Sequence, residues 1–213
     1  MKDKKKLLLG IVLFGSIWGG LEALGINSMS SLGFPLKSPF LAATGILVLG
    51  AARILFPHRG TTFLMGLVAA GFKFLTLPQI FFCQVTAVIV QGMVLEVAFS
   101  YAQKRNLSTW FSLGTVGFLS MYVNYALFSL IETYLVLNPF WVEKGFSGVI
   151  SYTFIEGTYA AILCFFFINI GFALGRSFAP VFGQWQALKA KAYGIATLVV
   201  SLGCWISGFA LYR

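Results

Sequence analysis

The chain has 213 residues, is 59% hydrophobic, carries 10% charged residues and has a mean hydropathy of +0.88. Soluble domains carry about 25% charge, so no segment reads as an independent soluble domain, and the short alternating strands of a β-barrel are absent from the pattern. The formal charge of +9 does not point to nucleic acid, because the basic residues gather at the ends of apolar segments and in one set of loops, where they control membrane topology.

Seven apolar segments follow one another: Leu7–Ile26, Phe40–Phe56, Thr61–Leu77, Ile80–Ala102, Leu107–Leu137, Phe146–Gly175 and Ala192–Tyr212. Most approach the roughly 20 residues that an α-helix needs to cross a bilayer. The basic start resembles a signal peptide, but the apolar run continues through Gly19, Gly20 and Glu22 without a clear small-residue cleavage site. It is expected to be an uncleaved first span. Asn27 to Pro39 reads as a loop, Pro57 to Gly60 as a tight polar turn, Pro78 as a short hinge, and Asn138-Pro139 as the end of the fifth segment. The fifth and sixth segments are long enough to tilt or to project beyond the bilayer. The expected fold is all-α: one integral membrane domain over residues 1–213, a polytopic transmembrane bundle of six to seven helices.

Orientation follows from Lys and Arg. With the N-terminus cytoplasmic, about 11 basic residues lie inside (Lys2, Lys4, Lys5, Lys6, Arg53, Arg59, Lys104, Arg105, Arg176, Lys189 and Lys191) and about 3 outside (Lys37, Lys144 and Arg213). The expected location is the cell membrane, with multiple passes.

Of 6 acidic residues, four sit inside apolar segments: Glu22, Glu96, Glu132 and Glu156. Lys73 does the same. A charge at the centre of a span costs roughly 2.5–3.5 kcal/mol on insertion scales, so such groups face a bundle interior, pair, or line a solute path. In the expected topology Glu22, Lys73, Glu132 and Glu156 share the outer half of the bilayer, and Glu96 lies in the inner half. The four outer groups are expected to converge on a pocket open to the outside.

Around them lie further candidate ligand contacts. Trp18 and Glu22 are four apart and share a helix face. Gln84 and Gln91 are seven apart and form a polar stripe; Asn124, Tyr125 and Glu132 enrich the fifth segment. Tyr152, Glu156 and Tyr159 follow helical spacing on the sixth. Aromatic rings with interspersed carboxylates suit a flat or cationic organic solute; interfacial tyrosines and helix-to-helix hydrogen bonds are the plainer account. Phe140 and Trp141 read as an interfacial belt or a lid. Gly15, Ser16, Gly19 and Gly20 pair at four-residue spacing and form a face that another helix can approach closely. The cysteines Cys83, Cys164 and Cys204 read as apolar packing residues.

The single histidine, His58, rules out a His-based metal site or a Ser-His-Asp arrangement, and no P-loop, dinucleotide fingerprint or HExxH motif is present. No cofactor, no metal and no catalytic residue are expected.

The stretch Phe56 to Gly71 places a polar turn before a short helix rich in small residues. Pro78 follows, then a helix carrying Ala87-Val-Ile-Val-Gln91-Gly. With the Gly/Ser-rich first segment, this resembles the substrate-binding S component of energy-coupling factor transporters over about residues 7 to 177. The resemblance implies a subunit that holds a vitamin-like solute near its outer face. It also implies docking onto a transmembrane coupling subunit and ATPase subunits, with Gly15, Ser16, Gly19 and Gly20 as docking surface. A typical S component has six helices rather than seven, and the chain lacks the Met-His start of the metal-type relatives. The expected function is therefore solute binding for import, through Trp18, Glu22, Lys73, Gln91, Asn124, Tyr125, Glu132 and Glu156. The alternatives are an intramembrane enzyme acting on a lipid or isoprenoid, with Glu96 or Glu132 as base, and a structural membrane protein.

Overall fold

A computed structural model describes residues 4–76, 82–188 and 190–211. The expected hinge at Pro78, Lys189 and the outer charge at Arg213 lie outside the described residues. Among those described, eight helices and no strands form: α1 Lys4–Ser31, α2 Lys37–Leu55, α3 Thr61–Thr76, α4 Phe82–Lys104, α5 Trp110–Tyr134, α6 Pro139–Phe154, α7 Glu156–Ala187 and α8 Ala190–Leu211. α1, α2, α4, α5 and the joined α6 and α7 make five stretches long and apolar enough to cross a membrane, and α3 is a shorter apolar helix. The chain is an all-α membrane protein.

Local chemistry moves several boundaries from their expected places. α1 runs on through Asn27 to Ser31, and α2 begins at Lys37 with Pro39 in its first turn, where the missing amide hydrogen costs no helical bond. The loop read from Asn27 to Pro39 thus shrinks to a short turn. α5 starts at Trp110 rather than Leu107 because the Thr109 hydroxyl accepts from the Ser112 amide at 3.2 Å, a side-chain N-cap. Asn138 caps α6 in the same way, accepting from the Phe140 amide at 3.1 Å.

The sixth segment is longer than expected at both ends and is bent twice. Gly145 has φ +57° and ψ −155°, a conformation essentially reserved for glycine. Ile155 separates α6 from α7, yet its amide still donates to the Ser151 carbonyl at 2.8 Å. The two helices form one bent stretch, which leaves seven helical stretches among the described residues, within the six to seven expected.

Six helices close into a ring in the order α1, α2, α7, α5, α4, α3 and back to α1. α6 packs on α5, and α8 packs outside the ring on α1 and, more lightly, on α3. The tightest seam joins α2 to α7. A Cβ at Gly171 would stand 2.5 Å from the Leu47 carbonyl oxygen, and one at Gly175 would stand 2.7 Å from that of Ala51. These glycines are four apart, the small-residue spacing that lets two helix backbones approach. Ala43, Ile46, Leu49 and Ala52 of α2 fill the ring interior with Leu95 and Phe99 of α4 and Ile168 and Phe172 of α7.

The small-residue face of α1 is not a free docking surface. Gly15 meets Met65 and Val68 of α3, and Gly19 meets Ala69 and Phe72. Ser16 accepts a hydrogen bond from Trp205 Nε1 of α8 at 3.0 Å, and Gly20 faces Cys204. All four are buried. The spacing does mark close helix approach, but the helices that use it belong to the same chain.

Candidate functional site

A cavity of about 320 Å³ opens at one end of the ring. There the C-terminal ends of α1, α3 and α5 meet the N-terminal ends of α2 and α4, and Tyr152 of α6 enters from the side. This volume sits at the low end of the roughly 300–1,000 Å³ typical of small-molecule sites.

Five expected contacts reach its wall: Glu22, Lys73, Gln91, Asn124 and Tyr125. Lys73 Nζ donates to Glu22 Oε2 at 2.7 Å, and each side chain is less than 5% exposed. Trp18 lies behind this pair. Its Nε1 donates to Glu22 Oε1 at 3.3 Å, as the four-residue spacing predicts, so Trp18 positions the carboxylate rather than lining the cavity. Gln91 Nε2 donates to the Ala42 carbonyl across the ring at 2.9 Å. Gly45 makes room for both side chains, since a Cβ there would stand 2.5 Å from Gln91 Nε2 and 2.9 Å from Trp18 Nε1.

Two expected contacts are misplaced. Glu132 is fully buried, but its Oε2 accepts from Asn138 Nδ2 at 3.1 Å and the residue ties the α5–α6 turn down instead of lining the cavity. Glu156 opens α7 and lines a second pocket with Phe140, Trp141, Glu143 and Lys144, which shares Tyr152 with the cavity. The turn at Ile155 also undoes the shared face expected of Tyr152, Glu156 and Tyr159: Tyr152 faces the cavity while Tyr159 is exposed. With both carboxylates off the wall, Glu22 is the one carboxylate that lines it among the described residues, and it is paired with Lys73.

The structure adds residues that the sequence reading passed over. Ser38 Oγ bonds with the hydroxyls of Tyr125 at 2.8 Å and Tyr152 at 2.9 Å. The Tyr125 and Tyr152 rings lie 4.9 Å apart at 31°, and Trp141 packs edge-on against Tyr152 at 4.9 Å. Trp141 is thus a buried support for the cavity wall, whereas Phe140 is exposed. Lys37 and Ser30 line the cavity too, bonded to each other at 3.3 Å. Cys83 is also part of the wall rather than only a packing residue.

Gln84 lines the cavity beside its stripe partner Gln91. Its Oε1, like Asn124 Oδ1, is buried without a hydrogen-bond partner, although Asn124 is only 6% exposed. An unmet buried polar atom costs about 1–3 kcal/mol. These two oxygens are closed off from the cavity space as they stand, so a polar solute would meet them after the amide side chains turn toward it.

At the opposite end of the ring, Glu96 is held in a complete network. Its carboxylate accepts from Arg53 at 3.1 and 3.2 Å, from Ser100 at 2.9 Å and from the Thr62 amide at 3.0 Å. Arg53 donates further to Gln103, to Ser100 and to the His58 carbonyl. Arg53 read as a topology-setting charge; it is instead a fully buried ion-pair partner. No group of three or more possible metal ligands forms among the described residues.

No family model, curated protein or solved structure matches the chain.

Proposed function

We propose that this chain is the solute-binding subunit of a membrane importer, taking a small polar solute from the outer side of the cell membrane. The observation that carries the reading is the cavity at the end of the ring with fewer basic residues, whose wall combines a buried ion pair with the amide side chains of Gln84, Gln91 and Asn124. The N-terminus lies in the cytoplasm, because Lys4–Lys6, Arg53, Arg59, Lys104 and Arg105 cluster at the other end. Glu22, Lys73, Gln84, Gln91, Asn124 and Tyr125 form the solute site, with Trp18 behind it.

On this reading the chain would work as an S component of an energy-coupling factor importer does. A transmembrane coupling subunit and ATPase subunits would then be its partners, docking elsewhere than on the covered face of α1. The test is native mass spectrometry of the protein purified in mild detergent. A retained small molecule that is lost in Asn124→Leu is the expected result; Asn124 has no bond through Oδ1 to lose, so the fold survives the change. Phospholipid alone, retained equally by both proteins, would remove the reading.

A further inference from the structure

We propose that the cavity takes a small, flat organic anion: a conjugated ring bearing N–H or O–H donors and a carboxylate-type group. This rests on the cavity being a solute site. The charge balance of the wall carries the anion. Glu22 neutralises Lys73 at 2.7 Å. Lys37, the other lysine of the wall, reaches only the Ser30 hydroxyl at 3.3 Å. No carboxylate lies within 4.0 Å of it among the described residues. Glu132 and Glu156 do not line the wall, though their charges reach Cys83, Tyr125 and Tyr152; within the lining itself Lys37 is the charge left without an opposite partner, and an anion beside it would balance it.

The ring and its donors follow from the remaining surface. Tyr125, Tyr152 and Phe128 present aromatic faces and edges, which favour offset or edge contacts with another flat ring. The two unpartnered oxygens, Gln84 Oε1 and Asn124 Oδ1, accept and do not donate. A solute with hydrogens to give would satisfy them once the amides turn toward it. Lys37 stands where the short α1–α2 turn meets the cavity and is half-buried. The charged group of the solute faces that turn, with the ring held between the tyrosines and the amides.

The experiment uses matched carboxylate and carboxamide pairs, which differ in charge but hardly in shape: nicotinate and nicotinamide, 4-aminobenzoate and 4-aminobenzamide, orotate and orotamide. Binding to the purified protein is measured by calorimetry, with protection of Cys83 from a maleimide as a second readout that localises the probe. The carboxylate of at least one pair is expected to bind about tenfold more tightly than its carboxamide. That preference is expected to fall to about one in Lys37→Gln, while Asn124→Ala weakens both members alike. Equal or better binding of the carboxamides, or a preference that survives Lys37→Gln, overturns the anion and leaves the solute site standing. If no pair binds, native mass spectrometry decides: a retained anionic metabolite supports the proposal and a retained neutral or cationic one overturns it. Neither binding nor a retained molecule removes both the anion and the site.

Discussion

Lys73 Nζ of α3 lies 2.7 Å from Glu22 Oε2 of α1, and the pair is buried where those two adjacent helices meet the cavity. Removing one member of such a pair strands a buried charge, which costs about 3–5 kcal/mol, whereas removing both together is far less harmful. Glu22→Leu and Lys73→Met are each expected to lower thermal stability in detergent by that amount. The double variant should recover most of the loss. Losses that simply add would show that the two groups are not coupled.

Cys83 offers a native reporter of access. It lines the cavity, whereas Cys164 is fully buried. In intact cells carrying a Cys204→Ser background, an impermeant maleimide is expected to label Cys83 from outside and to leave Cys164 untouched. Labelling that needs permeabilised cells would reverse the orientation.

Arg53→Lys is expected to destabilise the protein without changing solute affinity. Lysine cannot reproduce the planar set of donors with which Arg53 serves Glu96, Ser100, Gln103 and His58 together. Arg53→Met should cost more, about 3–5 kcal/mol, by leaving Glu96 uncompensated. A large change in solute affinity with normal stability would contradict the separation of the two ends.

Gly171→Ala tests the α2–α7 seam. The added Cβ would meet backbone at 2.5 Å and cannot be relieved by a side-chain rotation, so a loss of at least about 1–3 kcal/mol is expected. Gly183→Ala, on the same helix but with nothing within 4 Å, is the control and should be neutral or stabilising.

Much of the fold is legible in hydropathy, because each pass must be apolar over its own length and the breaks carry proline, glycine or asparagine. Pairings within one helix are legible too, and the bond from Trp18 to Glu22 follows from spacing alone. Pairings between helices are not. Lys73 could have met any of three glutamates until the ring order placed α3 beside α1. Glu132 and Glu156 failed as wall residues for local reasons, an Asn138 side chain that folds back and a break at Ile155. Lys37, counted only as an outer charge, and Ser38 were missed as wall residues because they lie in a stretch read as loop that is in fact helix. Arg53 was hidden by its position near a helix end, where a basic residue ordinarily signals topology. The Gly171 and Gly175 pair, by contrast, was readable from spacing and was passed over.

The ring is open at one end and plugged at the other. Beyond the cavity the axis is filled by buried side chains such as Ile46, Leu49 and Phe99, and the far mouth is bolted by Arg53 across α2, α4 and the turn after α2. The molecule is therefore a cup and not a pore. A solute resting in it can leave only by the way it came, unless the whole body turns over in the bilayer or the Arg53 bolt is drawn. If the chain serves import as proposed, either the cup itself or the Arg53 bolt has to move.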